Sequence, residues 1–84
     1  MDRKQCLYMI QDIAKGISDK ANSVNMTEET YIMEGDYSHS SLQFSSLETI
    51  ALMSGIETQF NTIIDFDVWF IQIKDIIDFI VKEA

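Results

Sequence analysis

Apolar side chains recur every three to four positions in three separate stretches of the chain, and the rhythm is lost between the first two. Leu7, Ile10, Ile13, Ala14 and Ile17 form the first stretch. Leu47, Ile50, Ala51, Leu52, Met53, Ile56 and Phe60 form the second, and Ile73, Ile76, Ile77, Ile80 and Val81 the third. Such spacing is that of a helix burying a stripe along its length. Isoleucine's preference for strands argues mildly against helix in the third stretch, but the period there is 3.6 and not 2. The pattern predicts helices over 2–20, 46–60 and 72–83, and a short one over 67–71 with Asp67 capping Val68, Trp69 and Phe70. The apolar run Val68–Ile71 is the one place where a strand competes. Three long helices, one short helix and no other strand pattern predict an all-α fold, a small four-helix bundle. At 84 residues there is room for one domain with one modest core.

Asp2 at the start of the first helix and Lys15 and Lys20 near its end suit the helix dipole, while Gly16 weakens its last turns. The loop over 21–45 is rich in Ser, Asn, Thr, Gly and acids. Its apolar residues Val24, Met26, Tyr31, Ile32, Tyr37 and Leu42 predict a segment pinned across the core, with a short turn near Thr27–Tyr31. Long loops in compact domains tend to be functional. This one leaves the first two long helices free to run parallel or antiparallel. Where it ends, Ser45-Ser46-Leu47-Glu48 fits a capping box, with Ser45 as cap and Glu48 reaching back. The helix that follows is apolar over more of its circumference than one buried face needs. Such a helix is either central or keeps a patch for a partner.

Fourteen acids against six Lys and Arg leave a formal charge of −8. Phosphate backbones repel such a surface, so nucleic acid is not an expected partner, and a basic protein surface is the natural complement. Helical periodicity follows Met1 where a signal peptide would show an apolar block, and no apolar run is long enough to insert in a bilayer. The single cysteine, Cys6, excludes an internal disulfide and fits a reducing, cytoplasmic setting, with the thiol in or near the core. The single histidine, His39, lies between Ser38 and Ser40, and adjacent residues cannot build a triad, so an exposed loop residue is expected. No spacing of His, Cys or carboxylates suggests a metal. An enzyme is not expected. At least one of Trp69 and Phe70 is expected in the core, although both could line a groove.

Chemistry is sharper at Ser46. A hydroxyl in the first turn of a helix lies near unpaired backbone N–H groups, where a phosphodiester is favoured; serines at helix starts also serve simply as caps. Leu42-Gln43-Phe44-Ser45-Ser46-Leu47-Glu48-Thr49 resembles the modification motif of acyl carrier proteins, Leu-Gly-x-Asp-Ser-Leu-Asp/Glu. The likeness continues through Ile50, Leu52, Ile56, Glu57 and Phe60, then Ile64-Asp65 and the segment from Phe70 to Ile76. With the first helix it covers most of the chain.

The resemblance implies that Ser46 accepts 4′-phosphopantetheine from coenzyme A through a phosphopantetheinyl transferase. The arm would carry acyl groups as thioesters between loading and processing enzymes with basic or apolar docking surfaces, in fatty-acid or polyketide-type synthesis. An aminoacyl or peptidyl cargo, or a carrier-like module that never receives the arm, fits the same residues. Leu47, Glu48, Met53 and Glu57 are the candidate partner contacts implied. Core is the competing role for Leu47 and Met53, and a solvated face for the two glutamates. A free-standing monomer suits a shuttle. Ser45 stands where the family has Asp, an equivalent cap that lacks the charge, and Gln43 stands where it has Gly. Ser46 is favoured over Ser45 because Leu47 and Glu48 then fall in register. Ala51, Ser54 and Thr58 make the second helix less acidic than fatty-acid carriers, which points to a specialised pathway.

Overall fold

The computed structural model describes residues 2–35, 40–65 and 67–83, apart from the side chain of Glu83. His39 and Tyr37, singled out above, lie outside the described residues. Helix α1 spans Arg3–Ile17, a 3-10 helix follows at Asp19–Ser23, and strands β1 (Tyr31–Met33) and β2 (Ser41–Phe44) precede α2 (Ser46–Phe60) and α3 (Ile73–Glu83). The protein is mostly helical, but the expected all-α four-helix bundle is not what forms. A short parallel strand pair lies between the first two long helices, and there is no helix over 67–71. No helix among the described residues is long and apolar enough to cross a membrane.

Helix α1 starts in a capping box. The Asp2 Oδ1 accepts from the Gln5 amide at 2.8 Å, and the Gln5 Oε1 accepts from the Asp2 amide at 3.3 Å. The helix ends at Ile17, short of the expected residue 20, because Ser18 turns to an extended conformation and its hydroxyl accepts from the Lys20 amide to start the 3-10 turn. This turn buries Ala21. Short side chains that bond the backbone locally commonly end one helix and begin another in this way.

Within the supposed loop, β1 and β2 pair in parallel, with Tyr31 opposite Ser41 and Met33 opposite Phe44. Between those pairs β2 fits one more residue than β1, a bulge that turns Gln43 outward. The other edge of β1 takes the residues at the end of and just after the segment expected to be the short helix, Ile71 to Ile73. The Ile32 amide donates to the Ile71 carbonyl at 3.1 Å, the Ile73 amide to the Thr30 carbonyl at 2.9 Å, and Tyr31 bridges antiparallel to Gln72. Val68, Trp69, Phe70 and Ile71 are β-branched or aromatic and poor formers of a single helical turn; Val68 instead closes a turn on the Asp65 carbonyl at 2.9 Å, Phe70 is buried in the core, and Ile71 bonds β1. Asp75 then starts α3, its Oδ2 accepting from the amides of Ile71 and Gln72.

Helix α1 packs against both α2 and α3. The core joins Cys6, Ile10 and Ala14 of α1 to Leu52 and Ile56 of α2 and to Ile73, Ile76, Ile77 and Ile80 of α3. Ile32, Leu42, Phe44 and Phe70 close it from the strands and the last connection, and Phe70 meets Phe79 edge to face at 5.6 Å. The α1–α2 contact is close enough that a Cβ on Gly55 would stand 2.7 Å from the Ile13 Cγ2. Arg3 clips α1 to the loop and to α3 through Glu28 at 2.6 Å and Asp78 at 2.8 Å.

Candidate functional site

The corner where β2 becomes α2 is built from alternating anchors. Leu42 and Phe44 are fully buried, which fixes the two ends of the exposed Gln43 between them. Gln43 adopts φ 59, the left-handed region that glycine enters freely. A residue with a Cβ there is strained by on the order of 1 kcal/mol. Its side chain offsets this by closing on the Gly35 backbone, with Nε2 donating to the carbonyl at 3.2 Å and Oε1 accepting from the amide at 3.3 Å.

Ser45 follows as the cap of α2. Its half-buried hydroxyl accepts from the Glu48 amide at 3.2 Å, and the Glu48 Oε1 accepts from the Ser45 amide at 2.9 Å. Lys20 adds a third tie, donating to the same Glu48 oxygen at 2.8 Å and to the Gln43 carbonyl at 3.0 Å. The Lys20 ammonium first, then the Ser45 amide, hold the Glu48 carboxyl down at about 2. Ser46, the next residue, is the first of α2 and is exposed. Among the described residues its hydroxyl has no hydrogen-bond partner, nor do the amides of Ser46 and Leu47. The two adjacent serines thus differ: one oxygen closes the cap, the other faces solvent beside two open N–H donors at the positive end of a helix.

Beyond Ser46, Leu47 is 79% exposed, and Met53 is half-buried against the core. Glu48 is held by Lys20 and Ser45 as described. Glu57 is half-buried, and its Oε2 accepts from the Ile64 amide at 2.7 Å. Both glutamates therefore have partners inside the protein. Met53 and Glu57 also line a groove of about 390 Å³ with Ile50, Ser54, Ile64, Val68 and Trp69. Of the two aromatic neighbours, Phe70 is in the core and Trp69 stays outside on the groove. The structure thus joins Ser46, Met53 and Glu57 along one helix, and turns Glu48 toward Lys20.

Sequence spacing missed Lys20, whose partner is remote along the chain, and the far wall of Ile64 and Val68, which lies across a connection. The breadth of the apolar pattern in α2 was the one available sign of a groove. Cys6 is buried, and loss of solvent pushes its thiol above the ordinary range. Among the described residues no three His, Cys, Asp or Glu side chains converge as metal ligands. No family model, curated protein or solved structure matches the chain.

Proposed function

We propose that this chain is a cytoplasmic acyl carrier protein whose Ser46 bears a phosphopantetheine arm. The observation that carries it is the state of the Ser46 hydroxyl: exposed, without a partner among the described residues, and at the first position of a capped helix. Further support comes from Gln43, which is left-handed at the position where the resembled motif has Gly. Ser45, at the motif's Asp position, performs the capping that an Asp would perform.

Attachment joins the Ser46 oxygen to the phosphorus that carries pantetheine in coenzyme A. The phosphoanhydride bond breaks, adenosine 3′,5′-bisphosphate leaves, and the serine proton passes to a base of the transferase. On this chain Ser46 supplies the oxygen, and the open amides of Ser46 and Leu47 favour the phosphodiester charge. When attached, the arm supplies a terminal thiol that holds an acyl group as a thioester. The protein then presents the group to successive enzymes, the role that suits a less acidic second helix being in a specialised pathway.

Incubation with coenzyme A, Mg²⁺ and a broad-specificity phosphopantetheinyl transferase, followed by intact-mass measurement, tests this. Wild type and Ser45→Ala should each gain one phosphopantetheine, and Ser46→Ala none. A shift that survives Ser46→Ala and disappears with Ser45→Ala would move the site by one residue. No shift with several transferases would leave a protein-interaction module in place of a carrier.

A further inference from the structure

Ser46 and Leu47 are the first two residues of α2, and their amides have no acceptor among the described residues. A turn in that state lacks backbone bonds of its own and frays most readily, so its shape depends on the cap. Here the cap is the reciprocal pair of Ser45 and Glu48. The Ser45 Oγ accepts from the Glu48 amide at 3.2 Å, and the Glu48 Oε1 from the Ser45 amide at 2.9 Å. The second of these bonds hangs on a carboxylate at the end of a flexible side chain.

Lys20 removes that freedom from outside the helix. Its ammonium donates to the Glu48 Oε1 at 2.8 Å and to the Gln43 carbonyl at 3.0 Å. One charged group therefore holds a strand residue before Ser46 and a helix residue after it. Gln43 is also the corner's left-handed residue, in the backbone conformation least favoured where there is a Cβ. The lysine is itself fixed, since its amide donates to the Ser18 Oγ at 3.2 Å and its neighbour Ala21 is fully buried.

Stability alone does not explain this arrangement. The Lys20 and Glu48 side chains are 46% and 23% exposed, and ion pairs at such exposure add little to overall stability. A cation at the start of a helix also opposes the helix dipole, which the carboxylate alone would suit. The box of α1 closes with the uncharged Gln5. What Lys20 adds at α2 is a fixed direction for the first turn, and the residue that this turn presents is Ser46.

We infer that Lys20 is a positioning residue for the modification of Ser46, holding Gln43 and Glu48 so that the Ser46 hydroxyl keeps one orientation toward the transferase. The inference rests on the carrier function proposed above. Lys20 acts through the corner, and the transferase need not contact it.

The test compares wild type, Lys20→Met and Lys20→Arg by rates of Ser46 modification, read by intact mass, and by exchange of the Ser45 amide with water, read by NMR in the free protein. Lys20→Met should lower kcat by about tenfold with KM changed by less than about threefold, the mark of a misoriented nucleophile in a normally formed complex. Its Ser45 amide should lose protection and exchange faster than in wild type. Lys20→Arg, which keeps a cation and several donors, should recover most of both. Lys15→Met makes the same change in net charge at an exposed position of α1 and should alter neither. Thermal melts check the fold, and Lys20→Gln takes the place of Lys20→Met if methionine disturbs it. A rise in KM at constant kcat, with Ser45 exchange unchanged, would make Lys20 a contact for the transferase and overturn its positioning role. Equal rates in Lys20→Met and wild type would overturn that role too, leaving the carrier standing. Wild-type protein that gains no mass would overturn the carrier function, and this role with it.

Discussion

Helices α1 and α2 are both 15 residues long and both begin in a capping box, yet they serve opposite ends. On α1 the apolar residues Ile10 and Ala14 are buried, Leu7, Ile13 and Ile17 pack against the core, and most of the opposite face is polar. On α2 only Leu52 and Ile56 among the large apolar residues are fully buried, while Leu47 and Ile50 face outward. One helix spends its apolar side chains on its own fold. The other keeps some of them outside it. Local signals such as caps and period therefore establish that a helix forms, and the width of the apolar pattern says whether its surface is used up.

The largest expected break in this comparison is a pair of truncations. Ile10→Ala should lose about 2–5 kcal/mol in urea unfolding, whereas Ile50→Ala should stay within about 0.5 kcal/mol of wild type. Similar losses at both would mean that the outer face of α2 supports the fold after all. A smaller effect is expected where the two helices touch. Gly55→Ala drives a methyl against the Ile13 Cγ2 and should cost about 1–3 kcal/mol. Ile13→Leu removes that Cγ2 branch, so the double variant should be more stable than the two single effects predict. Additive losses would show that the contact is not the cause.

The smallest effect separates the two capping boxes themselves. That of α1 closes with Gln5, which is uncharged, and that of α2 with Glu48. The Glu48 carboxyl ionises at about 2 when folded, against an ordinary value of 4.5. Its contribution to stability is therefore complete above pH 4.5 and is lost as pH falls toward 2. Stability measured across that window should fall less steeply in Glu48→Gln than in wild type. Equal slopes would mean that other carboxylates govern the acid limb.

Helix α2 was legible from sequence to both of its ends, because Ser45 and Glu48 mark the start and the apolar period persists to Phe60. Helices α1 and α3 were legible to within a few residues. The strands were not. Tyr31–Met33 and Ser41–Phe44 are too short to display a period of two, and their pairing partners lie elsewhere in the chain. The same reason explains the missing helix at 67–71, where a few apolar residues fit either period and the burial of Phe70 and the bond from Ile71 to β1, both contacts remote in sequence, go with neither. At the candidate site, Ser46 and its cap were readable as local chemistry. Lys20 could be assigned only to the end of a helix, and Glu57 only to a partner contact or a solvated face, since the groups they bond come from other elements.

The Lys20–Glu48 contact spans 28 residues of chain. Bringing such distant points together costs about 3 kcal/mol of loop entropy, and an ion pair at the surface is too weak to supply it. The strand pairing and the burial of Ala21, Met26 and Leu42 hold the intervening segment in place. The bridge thus depends on the rest of the fold and does not by itself organise it. Its ties to Glu48 and to the Gln43 carbonyl need the rest of the fold, so the corner that holds Ser46 has its finished form in the folded chain alone.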